Sequence, residues 1–322
     1  MVENQHRKVL IMTSLTNRIF HDEDTARRHF EALRWPDGPI CPHCGSVNNA
    51  TEMKGKSTRP GVYKCKDCRK PFTATIGTLY ERSHIPLHKW LLATHLVCSS
   101  KKGISAHQLW RMLGFGSYRT AWFMAHRIRE GMREARIIGG FGGDGEIVEA
   151  DETYIGGKEH NKHASKRTRP GGGARGKEPV LALVERGGRA ASHHVADVTA
   201  ASLRPIIIQA VARQTRLHTD ESRVYVSFGG RFAAHETVMH SAEEYVRGDV
   251  HTNTVESFFA ILKRGIYGTY HHVSQAHLGL YLQEFDFRYN HRVQLGCDDA
   301  TRAALAVKGI AGKRLTYRGT DR

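Results

Sequence analysis

Three acidic residues stand in settings that suit the binding of a divalent cation. Asp151 follows the run 147–150, and Asp220 follows the run 217–219; both runs are predicted to be buried strands. Burying a carboxylate is costly unless it is paired or binds a cation. Glu256 lies on a predicted helix over residues 251–264. The three residue types and their settings indicate metal chemistry.

Neighbouring acids leave this assignment open. Glu149, Glu152 and Glu221 flank the two aspartates and could share their role. On the predicted helix, Glu256 and Lys263 are seven residues apart and therefore lie two turns from each other on one side. Glu256 could bind a cation there while Lys263 meets a phosphate. For these two residues alone, an exposed acid and base on a solvated helix is the simpler interpretation.

Six cysteines are present, and four of them form two C-x-x-C pairs separated by twenty residues. Such pairs supply four thiolates at the spacing that a tetrahedral Zn2+ requires, so we predict a closed, structural zinc site. His43, inside the first pair, could replace a cysteine, but a surface position is the simpler interpretation. The predicted ligands are Cys41, Cys44, Cys65 and Cys68.

The charge balance predicts a polyanionic partner. The 322 residues carry 48 Lys and Arg against 32 Asp and Glu, a net charge of +16. Such a chain binds nucleic acid by releasing counterions, although a merely soluble cationic surface is the alternative. The loop 158–177 is rich in Lys and Arg and is interpreted as a cationic flap.

The apolar run 9–12 is too short for a signal peptide, and no later stretch approaches the length of a bilayer span. A cytoplasmic protein without membrane contact is therefore expected.

Hydrophobic periodicity changes near the glycines at 139–143. Before them, the pattern predicts a short helix over 22–35, small strands around the cysteines, and two helices joined by a glycine-bearing turn at 114–117, which is typical of a helix-turn-helix. After them, strands are predicted over 146–155, 179–185 and 189–198, then a helix over 202–211 and a strand over 216–219. The second half is therefore predicted to be α/β.

The spacing of the acids and four longer segments together resemble a known family. Thirty-five residues separate Asp220 from Glu256, and a lysine follows seven positions later, which resembles the D-D-35-E motif of DDE transposases and retroviral integrases. The segments VEADETYIGGK (148–158), HTNTVESFFAILKR (251–264), GIYGTYHH (265–272) and FDFRYNHR (285–292) resemble the bacterial insertion-sequence transposases with an N-terminal zinc ribbon, family fifteen-ninety-five. The resemblance covers nearly the whole chain.

This resemblance implies an α/β fold with an RNase H-like catalytic domain, preceded by a small zinc ribbon and a helical, helix-turn-helix-like region. It implies Asp151 and Asp220 on adjoining strands and Glu256 on a later helix, with Asn253, one turn earlier, as the alternative third ligand. Together they would hold two Mg2+ or Mn2+ ions for phosphodiester hydrolysis and strand transfer. Lys263 and Arg264 are expected to contact double-stranded DNA. A homodimer or larger assembly on DNA, in the bacterial cytoplasm with the nucleoid, is also expected.

The predicted organisation has five parts: an N-terminal helical segment (1–38), the zinc ribbon (39–76), the helical DNA-binding region (77–138), the catalytic domain (144–295) and a basic C-terminal tail (296–322). The sequence leaves two alternative functions open. One is an RNase H-like nuclease that cuts DNA without joining it, and the other is a zinc-ribbon regulator without chemistry. A zinc hydrolase is disfavoured because the sequence has no H-E-x-x-H motif.

Overall fold

The computed structural model describes residues 14–134, 140–157, 163, 165 and 176–316. The chain forms two compact units. The first contains the residues up to 133 together with those from 291 onward, and the second contains residues 134–290. The predicted cationic loop at 158–177 lies almost entirely outside the described residues.

The first unit begins with the predicted N-terminal helix. Helix α1 spans Glu23–Arg34, and Asp22 caps it by accepting the N–H of Thr25 at 2.8 Å. Its buried side follows the apolar spacing of the sequence, with Ala26, Phe30 and Leu33 in the core. The predicted helix over 22–35 is therefore confirmed.

A small three-stranded sheet follows α1. Its strands are β1 (Ala50–Glu52), β2 (Tyr63–Cys65) and β3 (Pro71–Phe72), all antiparallel in the order β1-β2-β3. Trp35 packs edge-on against Tyr63 and Phe72. This aromatic contact gives a small sheet with little apolar area of its own a core on one face.

Three helices follow, and the last two have the predicted helix-turn-helix connection. They are α2 (Leu87–Ser99), α3 (Ala106–Leu113) and α4 (Tyr118–Met132). Gly114 ends α3 in the left-handed region at φ 60°, a conformation that glycine adopts without steric cost. Ser105 and Ser117 cap α3 and α4 by accepting backbone N–H groups of their own first turns.

The C-terminal residues return to the first unit. Helix α9 (Asp299–Lys308) lies within the segment that the sequence predicts to be a basic tail. Arg302 is buried and donates to the carbonyl oxygen of Cys98 at 3.1 Å, and Leu79 N–H donates to the carbonyl oxygen of Ile310 at 3.3 Å. The local sequence explains why this helix forms. The segment has a cap at Asp298 and an alanine-rich apolar face. Both features favour a helix, and a count of basic residues does not reveal them.

The second unit contains a mixed five-stranded sheet in the order β6-β5-β4-β7-β8. The strands are β4 (Ile147–Ile155), β5 (Glu178–Glu185), β6 (Ala190–His194), β7 (Arg216–Thr219) and β8 (Ala234–Thr237). β4, β5 and β6 pair antiparallel, whereas β7 pairs parallel with both β4 and β8. The predicted strands over 146–155, 179–185 and 216–219 are confirmed, and β6 is shorter than the predicted 189–198.

Helices cover both faces of this sheet. One face packs against α5 (Ala200–Ala210) and the short α6 (Val226–Gly229). The other packs against α7 (Asn253–Gly265), which continues into a π-helical turn over Ile266–Tyr270, and against α8 (Gln275–Asn290). Residues of β5 alternate between the two cores, with Leu181 and Leu183 on the α5 side and Val180 and Ala182 on the α7 side. The second unit is therefore a three-layer α/β fold.

Helix α8 also protects the edge of the sheet. The Asp286 carboxylate accepts the N–H and hydroxyl of Ser192 on β6 at 2.9 and 2.7 Å. One turn later, Asn290 accepts the N–H of Ala190 at 2.7 Å and donates to its carbonyl oxygen at 3.0 Å. Side chains thus satisfy the backbone groups of an edge strand that would otherwise be open to pairing with another chain.

Candidate active site

Two parallel strands, β4 and β7, bring Asp151 and Asp220 level with each other. Glu149 of β4 stands opposite His218 of β7, and extending this register by two residues puts Asp151 beside Asp220, the residue directly after β7. β4 itself continues to Ile155, so Asp151 lies where the pairing with β7 stops and not at the end of the strand. The parallel register thus brings both acids to the same end of these two inner strands.

Helix α7 supplies Glu256 in its first turn. Glu256 Oε1 accepts a hydrogen bond from the Thr252 hydroxyl at 2.8 Å and lies 3.7 Å from Nε2 of His240. The Glu256 side chain is 48% exposed, so it borders solvent. Sequence reasoning missed Thr252 and His240, since neither has a spacing that separates it from the other hydroxyls and histidines of the chain.

The electrostatics of Asp151 connect the three acids. Burial raises the pKa of Asp151 to about 6, and the negative charges of Asp220 and Glu256 add to the rise. The N–H of Glu152 and the charge of His240 act in the opposite direction. Because Coulomb interactions weaken with distance, these contributions indicate that Asp220 and Glu256 each lie near Asp151. Such a group of carboxylates is stabilised when a cation binds.

The flanking acids all have protein partners. Side chains alternate along β4, so Glu149 and Asp151 face α7 while Glu152 faces the α5 side. There the Tyr225 hydroxyl donates to Glu152, whose pKa burial raises to about 7. Glu221 accepts the N–H of Ser241 at 3.1 Å. Glu149 is fully buried and accepts N–H groups at the start of α7.

Asn253 and Lys263 occupy opposite ends of α7. Asn253 is its first residue, is exposed, and makes no side-chain hydrogen bond with another described residue. Lys263 is half-buried and Arg264 exposed in the last turn, and neither forms an ion pair within the described part of the chain. Both cations are therefore available to an anionic ligand.

The carboxylates fit a hard divalent cation by their chemistry, because all three offer oxygen ligands and no sulfur lies among them. Their oxygens do not all lie within 4.8 Å of one another, since among the described residues only the four cysteines form such a group. This arrangement does not let one ion contact all three acids at once. A pair of ions about 3.5 to 4 Å apart needs a wider set of carboxylates.

The four cysteines form the second candidate metal site. The Sγ atoms of Cys41 and Cys68 are 3.6 Å apart, as are those of Cys44 and Cys65, and all four lie within 4.8 Å of one another. A tetrahedron with Zn–S bonds of about 2.3 Å has S–S edges of about 3.8 Å, so the cluster fits zinc. His43 lies outside the cluster, exposed, with Nε2 3.3 Å from the carbonyl oxygen of Pro71.

Two matching turns shape this cluster. Cys41 N–H donates to the carbonyl oxygen of Ser46 at 2.9 Å, and Cys65 N–H donates to that of Lys70 at 3.1 Å. The residue after the second cysteine of each pair has positive φ, 75° at Gly45 and 63° at Arg69. Glycine adopts this conformation without cost, whereas Arg69 does so with strain that metal binding would offset.

Comparison with known proteins gives three findings. Residues 143–290 match the ISXO2-like transposase domain. Residues 21–71 match the transposase zinc-ribbon domain. A Halobacterium salinarum protein, described as an uncharacterized protein in transposable element ISH50, is 30% identical over 285 residues, which cover 84% of this chain and 92% of that protein.

Proposed function

This chain belongs to the zinc-ribbon-bearing transposases of insertion sequences, and from that premise we propose that it cuts DNA at the ends of its element and joins those ends to target DNA. Both steps would use one site, formed by Asp151, Asp220 and Glu256. The observation that carries this proposal is the parallel register of β4 and β7, which brings Asp151 level with Asp220, and the charges of Asp220 and Glu256 that raise the pKa of Asp151 support it.

The order of the sheet supports an RNase H-like catalytic unit. The first strand, β4, is central, the second and third strands extend antiparallel from one side of it, and the fourth and fifth extend parallel from the other. In this proposal Asp151 on the central strand and Asp220 directly after its parallel neighbour are the two catalytic aspartates that the family resemblance implies. Glu256 then approaches from a helix on one face of the same sheet.

Each side chain has a distinct task in this proposal. Asp151, Asp220 and Glu256 would hold two Mg2+ or Mn2+ ions, which supply Lewis acidity at the attacking and leaving oxygens of the phosphodiester. Thr252 holds the Glu256 carboxylate through its hydroxyl. Lys263 and Arg264, without ion pairs to other described residues, would bind DNA phosphates.

Recognition of the element ends would belong to the first unit. The four cysteines would hold a structural zinc, and α3 and α4 would form the helix-turn-helix. Tyr118 and Arg119 begin α4 and are exposed, and the first turn of a recognition helix is the part that contacts base edges. The net charge of +16 supports a phosphate-binding role for the chain as a whole. We propose that a dimer or larger assembly joins two ends, which light scattering of the DNA complex would test.

A cleavage assay tests the catalytic assignment. Labelled DNA carrying an element end would be incubated with Mg2+, and both nicked products and products joined to a second DNA would be measured. The variants D151N and D220N should lose cleavage while they retain DNA binding. E178Q is the matched control, because Glu178 lies on β5 and is paired with His194 at 2.8 Å, whereas Asp151 lies on β4 and Asp220 follows β7.

Three outcomes separate the functions. Cleavage with joined products supports a transposase of the proposed mechanism. Cleavage without joined products supports an RNase H-like nuclease. DNA binding by the wild-type protein without any cleavage supports a regulator and contradicts the catalytic assignment.

A further inference from the structure

Glu149 is a fully buried carboxylate that the proposed chemistry does not use. Its Oε2 atom accepts the backbone N–H groups of Thr254 and Val255, at 2.7 and 3.0 Å. Its Oε1 atom accepts the Thr254 hydroxyl at 2.8 Å and the Arg186 guanidinium at 2.8 Å. A side chain of β4 thus makes the hydrogen bonds that a helix N-cap normally makes for the first turn of its own helix.

The local cap residue of α7 is engaged elsewhere. Thr252 occupies the N-cap position but makes no capping hydrogen bond with its side chain. Its hydroxyl donates instead to Glu256 at 2.8 Å. Since Glu149 already satisfies the N–H groups at the start of α7, the Thr252 hydroxyl is available to orient the Glu256 carboxylate.

Arg186 extends this connection to the segment that leads into the helix. Besides its bonds to Glu149, Arg186 donates to the carbonyl oxygens of Asp249 and His251 at 2.7 and 3.3 Å. Its positive charge balances the buried carboxylate, so the pair avoids the large cost of an isolated charge. Glu149 and Arg186 together fix both the start of α7 and the chain just before it.

The position of Glu149 on β4 gives this connection a functional consequence. Glu149 is two residues before Asp151, on the same face of the strand, and Val255 is one residue before Glu256. The hydrogen bonds that Glu149 accepts from α7 therefore connect two of the proposed metal ligands by a short route of covalent and hydrogen bonds. Displacing the helix from Glu149 would displace Glu256 from Asp151.

We propose that Glu149 is a positioning residue which, with Arg186, holds α7 against β4 and so sets the geometry of the divalent-metal site. The inference rests on the proposed function, because it assumes that Asp151 and Glu256 bind the same cations. It assigns to Glu149 no contact with metal or DNA.

The test uses Mn2+ as the probe and the full-length protein. The Mn2+ affinity of the wild-type, E149Q, T252V and E178Q proteins would be measured by electron paramagnetic resonance without DNA, and Mn2+-dependent cleavage would be measured separately. Gln at 149 keeps the size of the side chain but offers one acceptor oxygen, and its NH2 group would oppose either the helix N–H groups or Arg186.

Loss of groups that orient metal ligands typically weakens metal binding by 10–100-fold. We therefore expect the Mn2+ dissociation constant to rise about tenfold in E149Q and in T252V, and to stay within about twofold of wild type in the E178Q control. Excess Mn2+ should restore cleavage by E149Q but not by D151N. A purely structural cap would lower the melting temperature of E149Q and leave its Mn2+ affinity unchanged.

Unchanged Mn2+ affinity in both folded variants would overturn the inference while leaving the proposed function intact. If E149Q does not fold, the same Mn2+ measurement on T254V decides, because this variant removes the hydroxyl that donates to Glu149 Oε1 at 2.8 Å and keeps the shape of the side chain. Wild-type protein that binds no Mn2+ would contradict the proposed function and the inference together.

Discussion

Replacing Asp151 by Asn should stabilise the protein in the absence of divalent cations, although it abolishes the proposed activity. Burial, with the charges of Asp220 and Glu256, raises the pKa of Asp151 from 3.8 to about 6. The folded protein therefore holds this proton more tightly than the unfolded chain does, and its stability falls as pH rises from 3.8 to about 6. Above that range the full cost of the ionised carboxylate is present.

The size of the effect follows from the two pKa values. A difference of about 2.2 corresponds to about 3 kcal/mol, which is an upper bound at pH 7.5. Near pH 4 the cost shrinks to below about 1 kcal/mol, because the carboxyl group is then mostly protonated in the folded protein. Asn preserves the local structure, since its oxygen can still accept the N–H of Glu152, which donates to Asp151 at 2.7 Å. We expect D151N to gain about 1–3 kcal/mol at pH 7.5.

Thermal and urea denaturation at pH 7.5 and pH 4 would measure this gain. The buffer should be freed of divalent cations by resin and not by a chelator added to the protein, since a chelator would also remove zinc from the cysteines. All four tryptophans, Trp35, Trp90, Trp110 and Trp122, lie in the first unit. Tryptophan fluorescence therefore monitors that unit, and circular dichroism reports both.

Added Mn2+ should narrow the difference in stability between D151N and the wild-type protein, because Mn2+ stabilises the wild-type protein and not the variant. Equal or lower stability of D151N at pH 7.5, or a gain of the same size at pH 4, would refute the electrostatic reasoning.

Three further predictions concern other parts of the chain. C65S should lower the zinc content measured by atomic absorption from one ion per chain and unfold the ribbon, since structural zinc contributes on the order of 10 kcal/mol to such modules; full zinc content in this variant would contradict the assignment. G131A should destabilise the first unit by about 1–3 kcal/mol in urea, because the added Cβ would lie 2.9 Å from Ile310 and 3.2 Å from the carbonyl oxygen of Ala306. K263Q should weaken DNA binding and reduce the slope of log K against log salt concentration by about 0.9. An unchanged slope would exclude a phosphate contact by Lys263.

Local signals in the sequence were sufficient for much of the fold. The capped, periodic segment at 22–35 became α1, and the β-prone runs became β4, β5 and β7. The spacing of the cysteines predicted their cluster, because a C-x-x-C pair determines its own turn. Within the described part of the chain, no helix is long and apolar enough to cross a bilayer, as hydropathy also predicts.

The remaining features depend on contacts that are distant in sequence. Glu149 could not be separated from Asp151 and Glu152 as a candidate ligand, because its partners at Thr254 and Val255 follow more than a hundred residues later. Alternation along β4 assigns Glu152 to the opposite face, but only the contact with Tyr225 shows what it meets there. The position of Asp286 within α8 does not predict its role from the sequence, because the backbone N–H that it accepts belongs to Ser192 on the edge strand β6.

The return of the C-terminal residues to the first unit has a consequence for biosynthesis. Lys313 donates to the carbonyl oxygens of Glu130 and Gly131 at 3.0 and 3.2 Å, and Gly312 N–H donates to that of Gly77 at 2.9 Å. Gly312 and Lys313 leave the ribosome only after residues 134–290 have been made. The second unit can therefore fold during translation, whereas the first must wait for its last helix. A message cut short after residue 290 would yield a protein able to complete its second unit and unable to close the core of the unit that carries the zinc ribbon.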